Sequence, residues 1–201
     1  MISKEKTKMA LEKMYAMFPD AVGELEHQTP FQLLIAVILS AQATDVSVNK
    51  VTPHLFAAYP NAEQLAKAPL ETITEYIRTI GLYRNKAKNI KRCAQQIMEE
   101  FDGNVPETRE ELMRLAGVGR KTANVVLGDA FNTPAIAVDT HVERVSKRLR
   151  ICKLDASVSE VEETLMRKVP KEDWVKMHHT MIFFGRYHCT ARAPKCEVCP
   201  L

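Results

Sequence analysis

Apolar side chains return at helical spacing almost everywhere in this chain, and nowhere do they alternate with polar ones as a half-buried strand requires. Leu11, Met14, Tyr15 and Phe18 form one row, Ala87, Ile90, Ala94, Ile97 and Phe101 a second, and Trp174, Met177, His178 and Met181 a third. Spacings of three and four put each set on one face of a helix. Start signals agree, since Thr29-Pro30-Phe31-Gln32 and Thr108-Arg109-Glu110-Glu111 both have the form of a capping box. Pro19, Pro60 and Pro106 punctuate the intervals. The pattern predicts an all-α protein of roughly nine to ten helices. With 201 residues, 46% of them hydrophobic, the chain has enough apolar surface for one large domain or two small ones, which excludes disorder.

Charge alone assigns little. A net charge of +3 is too mild to imply nucleic acid. Its distribution is more informative: residues 84–92 (RNKAKNIKR) and 144–153 (RVSKRLRICK) are basic, whereas 107–111 and 155–163 are acidic. One positive face would give this pattern, and so would ordinary solvated helix faces. Lys4, Lys6, Lys8 and Lys13 break up the N-terminal segment, so it lacks the uninterrupted apolar core of a signal peptide. The strongest apolar run, LLIAVIL at 33–39, is too short to span a bilayer. The expectation is a cytoplasmic protein that acts as a monomer.

Residues 33–41 are apolar on all sides and read as a helix through the middle of a helical domain, leaving Gln42 and Asp45 of SAQATD at its buried end. A second segment, LMRLAGVGRKTANVVLGDAF at 112–131, holds three of the chain's seven glycines, two of them flanking Val118. Leu112 and Leu115 close one short helix there, and Val125, Val126 and Ala130 line the next, so AGVG is the turn of a helical hairpin. Gly117 and Gly119 can take positive φ and let another backbone approach, with Val118 pointing inward as an anchor. The second helix begins with unpaired N–H groups at its positive end, a ready seat for a phosphate. A tight corner between two helices, with no ligand, would use the same glycines.

LAGVGRKTANVVL, together with AIAVDTHVERV at 135–145 and LLIAVILSAQATDVSVNK at 33–50, resembles the helix-hairpin-helix DNA glycosylase superfamily and, in its iron–sulfur branch, the endonuclease III family. The similarity runs from about Pro30 to Leu201. One departure is Ala116, where the family usually has proline before the first glycine. The resemblance implies two helical domains flanking a DNA-binding cleft. One covers 22–132 with the hairpin, and the other joins 1–21 to 133–201 with a cluster loop. It also implies removal of oxidised pyrimidines from damaged duplex DNA, followed by β-elimination at the abasic sugar.

Site residues follow from the matched motifs. Lys121 falls in the first turn of the phosphate-binding helix beside Arg120, a setting that disfavours its ammonium form, and a neutral amine can attack a sugar C1′. By resemblance it is the nucleophile, and Asp139 is the carboxylate that assists it. A helix over 120–131 is about 18 Å long, and the seven residues after it span up to roughly 23 Å, so the chain permits the pairing without requiring it. Asp139 before HVERVSKRL is also what a helix N-cap demands. The resemblance further makes Gln42 the residue that fills the gap left by an extruded nucleotide and Leu82 the wedge in the opposite strand. Read without it, Gln42 is a helix-end hydrogen-bond partner and Leu82 is core. His141 would meet a phosphate or the lesion, or serve as a structural histidine.

Cys189, Cys196 and Cys199 are spaced C-x6-C-x2-C, close enough for a metal site. The family pattern adds a fourth cysteine and holds a [4Fe–4S] cluster. Because the sequence ends at Leu201, the preferred expectation is a shortened form of a cluster protein. The competitor is zinc with His188 as fourth ligand, since Cys3His is an ordinary zinc set. The cluster would stiffen a basic loop around Arg186, Arg192 and Lys195. Cys93 and Cys152 read as buried hydrophobes. Two rival functions remain: an adenine-mismatch glycosylase that uses water, against which Lys121 argues, and a non-catalytic hairpin module that holds DNA backbone.

Overall fold

The structure is a computed structural model that describes residues 1–201. It is all-α. The helices are α1 (Lys4–Met17), α2 (Pro30–Ser40), α3 (Asp45–Asn49), α4 (Thr52–Ala58), α5 (Ala62–Lys67), α6 (Leu70–Ile77), α7 (Tyr83–Glu100), α8 (Arg109–Leu112), α9 (Arg120–Phe131), α10 (Thr140–Arg148), α11 (Val158–Lys168) and α12 (Trp174–Phe183). A π turn, Phe184–His188, continues α12, and a short 3-10 turn lies at Cys196–Val198. No helix is long and apolar enough to cross a membrane. Twelve α-helices exceed the nine to ten expected. The excess is in pieces such as α3 and α8, of five and four residues, too short to show a period.

The chain divides into two compact units, Glu24–Thr133 and Met1–Gly23 with Pro134–Leu201. In the first, α2 is the central rod: every residue from Phe31 to Leu39 is buried. It packs on α3, α7 and α9, and α7 packs on α5 and α6. Truncating one of its leucines to alanine would cost about 2–5 kcal/mol. Thr29 caps α2 by accepting from Gln32 N, but Gln32 Oε1 accepts from Gln28 N rather than Thr29 N, so the expected box is displaced by one residue. Thr108 likewise accepts from Glu111 N, while Glu111 Oε2 takes the Thr108 hydroxyl instead of a backbone donor. The complete capping box is at Ser157 and Glu160, ahead of α11.

In the second unit, α1 packs on α11 and α12 and contributes Leu11 and Met14 to a core with Val142, Val145, Val161, Leu165, Met177 and Phe184. Ile2 N donates to Arg150 O at 2.7 Å, and Lys168 Nζ donates to Ile2 O and Ile151 O at 2.6 and 2.7 Å. These bonds join the first residues of the chain to its last third.

Candidate active site

The hairpin is built as its glycines suggest, with one correction. α8 ends at Leu112, turns carry the chain to Gly117, and Val118 is buried at 8% exposure. Gly117 has φ +80, and a Cβ there would lie 3.0 Å from Ile38 Cγ2 and 3.1 Å from Asn89 Cβ, so both conformation and space demand glycine. Gly119 does not take positive φ. It is extended at φ −96, ψ 179, as the residue before a helix must be, and a Cβ there would meet nothing within 4 Å. One left-handed residue suffices for the turn. The second glycine leaves open space in front of a helix start that carries no capping side chain.

Arg120 and Lys121 are the first two residues of α9, both exposed. The 12-residue helix directs its positive end toward them. Its inner face is Ala123, Asn124, Val126, Leu127 and Gly128, whereas Val125 and Ala130 are only half-buried. Arg109 Nε donates to Asn124 Oδ1 at 2.8 Å and ties α8 to α9.

The same unit brings together two more of the expected residues. Gln42 follows α2 at φ 54 and Leu82 precedes α7 at φ 60, both in the left-handed region that side-chain-bearing residues rarely occupy. A Cβ on Gly81 would lie 4.0 Å from the Gln42 carbonyl oxygen, so the two loops run side by side. Both side chains are exposed, Leu82 at 57%. Leu82 is therefore not core, and Gln42 is not a partner buried at the end of α2.

Asp139 belongs to the other unit, where it is the N-cap of α10. Its Oδ1 accepts from His141 N at 2.9 Å and Val142 N at 2.8 Å. Burial holds His141 below the usual imidazole range, with Arg144 and Arg186 acting in the same direction and Asp139 opposing. The neutral ring faces Arg144 Nη2 through Nδ1 at 3.1 Å. That guanidinium also donates to Gly185 O at 2.7 Å and Cys189 O at 3.2 Å. A Cβ on Gly185 would come within 2.9 Å of His141 Cβ, so glycine is required where the π turn crosses α10.

Arg148, one turn on, donates to Thr190 O at 2.7 Å and Ala191 O at 2.8 Å, and lies 3.5 Å from Cys189 Sγ. Cys189, Cys196 and Cys199 are free thiols, and Cys199 N closes a turn on Cys196 O. Lys13 Nζ donates to Pro200 O at 2.6 Å and fastens the end of this loop to α1. One of the three soft sulfur donors, Cys189, lies beside a guanidinium, and by donor type the three cysteines of this anchored loop suit an iron–sulfur group or zinc. His188 is buried, its ring stacked 5.0 Å from that of the core residue Phe184. Its Nε2 is buried and has no hydrogen-bond partner. Burial pushes the Cys93 thiol up to about 12 and raises that of Cys152, as inert core residues.

Comparison with known proteins places this arrangement. A model of HhH-GPD superfamily base excision DNA repair proteins matches residues 35–171. Endonuclease III of Bacillus subtilis (strain 168) is 57% identical over 201 residues, which are 100% of this chain and 92% of that protein. This chain belongs to the HhH-GPD superfamily, in its endonuclease III family. Endonuclease III of Escherichia coli (strain K12) is 46% identical over 198 residues, 98% of this chain and 93% of its own. A solved structure of a trapped endonuclease III–DNA covalent intermediate, an estranged-adenine complex, matches with a TM-score of 0.97 at 57% identity, covering 100% of this chain and 94% of that one.

Against the endonuclease III pattern, sequence reading overlooked how much of the basic character is spent internally. In 84–92, Lys86 is buried, Lys91 donates to Ala68 O, and Arg92 pairs with Glu99 at 3.0 Å. In 144–153, Arg144 and Arg148 grip the cysteine loop, and Lys147 pairs with Glu143 at 2.6 Å. The signal that could have revealed the grip is the four-residue spacing of the two arginines, which puts them on one helix face.

Proposed function

We propose that this chain is a base-excision-repair DNA glycosylase with abasic-site lyase activity, which removes oxidised pyrimidines from duplex DNA through a Schiff base on Lys121. The observation that carries the reading is an exposed lysine at the second position of a helix whose start is uncapped and unobstructed. The turn suited to a DNA phosphate thus sets an amine within one residue of it.

In this reading the unprotonated Lys121 Nζ bonds to C1′ as the glycosidic C1′–N bond breaks, and the base leaves with the electron pair and takes up a proton. Opening of the sugar ring gives the imine. Loss of a C2′ proton expels the 3′ phosphate, and water then frees the lysine. Asp139 stabilises the positive charge that develops on the sugar. Its backbone bonds fix the carboxylate, so no ordering is needed during the reaction.

The target sugar cannot be reached inside a stacked duplex, so the nucleotide is extruded at a cost of a few kcal/mol. Gln42 and Leu82 serve as plug and wedge, a role supported by their exposure and their strained backbones. His141, held by Arg144 at the start of α10, takes the role of meeting a phosphate or the lesion, a reading supported by that fixed ring. The protein acts as a monomer on nucleoid DNA. Cys189, Cys196 and Cys199 would provide thiolates to a [4Fe–4S] cluster, and that ligation would cross-link a loop whose backbone Arg144 and Arg148 already hold.

Duplex DNA with one oxidised pyrimidine tests the reading. Base release should be accompanied by cleavage 3′ to the abasic sugar without added alkali. Base release with an intact strand would instead identify a water-using glycosylase, and salt-sensitive binding blind to the lesion would identify a hairpin module without catalysis.

A further inference from the structure

Ala116 stands before the first glycine of the hairpin, a position whose φ a proline would preset. Alanine differs in two ways: it does not preset φ, and it brings a backbone N–H that proline lacks. That N–H has a partner. Gln96 Oε1, from α7, accepts from Ala116 N at 2.8 Å, while Gln96 Nε2 donates to Arg114 O at 3.0 Å. The orientation of the amide is forced, since one neighbour can only donate and the other only accept.

A single side chain therefore holds the backbone on both sides of Leu115, which is buried at 3% exposure. The last turn of α7 adds a second hold: Arg114 pairs with Glu100 and lies 5.7 Å over the Phe101 ring. The segment entering Gly117 is thus fixed from α7. With proline at 116 the Gln96 oxygen would have no donor to meet, and with alanine opposite an apolar residue a half-buried N–H would have no acceptor.

We propose that Gln96 is a positioning residue for DNA binding, matched to Ala116, which does by hydrogen bonding what proline does by ring closure. It holds the turn in the one geometry in which Gly117 is left-handed and the α9 start faces outward. The inference rests on the reading that the hairpin seats a DNA phosphate.

The test measures affinity for a duplex carrying an uncleavable abasic-site analogue, at fixed salt, with thermal unfolding recorded for each variant. Gln96→Met removes both hydrogen bonds and should weaken binding at least about fivefold, the scale of one of them, while single-turnover cleavage at saturating enzyme stays unchanged. Adding Ala116→Pro to that variant should restore binding to within about twofold. Ala116→Pro alone should bring no gain, because it strands the Gln96 oxygen. Gln96→Glu, which keeps the acceptor and loses the donor, should fall between, and it serves if Gln96→Met does not fold.

Wild-type affinity in Gln96→Met and Gln96→Glu would overturn the inference. So would a loss that Ala116→Pro fails to rescue, since general packing damage would then be the cause. If the unaltered protein did not bind the duplex, the phosphate reading would fall and take this inference with it.

Discussion

Gly117 and Gly119 are two residues apart and chemically identical, yet the structure assigns them opposite reasons for being glycine. Alanine at 117 must hold φ near +80, which costs about 1–2 kcal/mol for a residue with a Cβ. Its methyl group also lies 3.0 Å from Ile38 Cγ2 and 3.1 Å from Asn89 Cβ, and displacing such neighbours costs about 1–3 kcal/mol. Offset by about 0.4–1 kcal/mol from a less flexible unfolded chain, Gly117→Ala should destabilise by roughly 2–4 kcal/mol. At about 2–4 °C per kcal/mol for a chain of this size, the Tm should fall by roughly 4–16 °C.

Gly119→Ala should behave differently. Its φ of −96 suits alanine and its Cβ meets nothing, so the unfolded-state gain of about 0.4–1 kcal/mol is set against glycine's similar advantage over alanine at an N-cap, and the Tm should stay within about 2 °C of wild type. Its methyl group stands instead where a phosphate would approach the α9 amides. Loss of one charge-assisted hydrogen bond is worth about 1.5–3 kcal/mol, so affinity for duplex DNA should drop at least about tenfold. Calorimetry and fluorescence anisotropy on the two purified variants separate the effects. The reasoning is refuted if Gly119→Ala melts as early as Gly117→Ala, or if it keeps its Tm and binds DNA like the wild type.

Two further substitutions probe the reaction. Asp139→Asn retains an oxygen for the His141 and Val142 amides, and Asn caps a helix about as well as Asp. Its Tm should therefore stay within about 2 °C of wild type while base release falls by about a hundredfold or more; an active variant would reduce Asp139 to a cap. Gln42→Ala should slow turnover on a lesion in duplex more than on the same lesion in single-stranded DNA, because only the duplex leaves a hole to fill. Equal losses on both substrates would remove the plug role.

Where the sequence was informative, it was so because the pattern was long. Nine successive buried residues make α2 unmistakable, and two glycines between apolar helical stretches identify the hairpin. Backbone strain leaves no such trace: nothing in the letters Gln42 or Leu82 announces a left-handed φ, which tertiary packing imposes. The four-residue α8 and five-residue α3 hold too few turns for a period to emerge. That both glycines can take positive φ did not tell which one does, because residue type shows that φ is free, not where the chain uses that freedom. The basic runs misled for a related reason. A charge count does not distinguish Arg148, spent on the carbonyls of Thr190 and Ala191, from the exposed Lys121.

The central claim is that Lys121 is the nucleophile, and borohydride trapping on duplex DNA carrying a single oxidised pyrimidine tests it most directly. Reduction of the imine should yield a protein–DNA adduct with the unaltered chain and none with Lys121→Gln, which should fold normally because the side chain is exposed. An adduct of undiminished yield from Lys121→Gln would contradict the account.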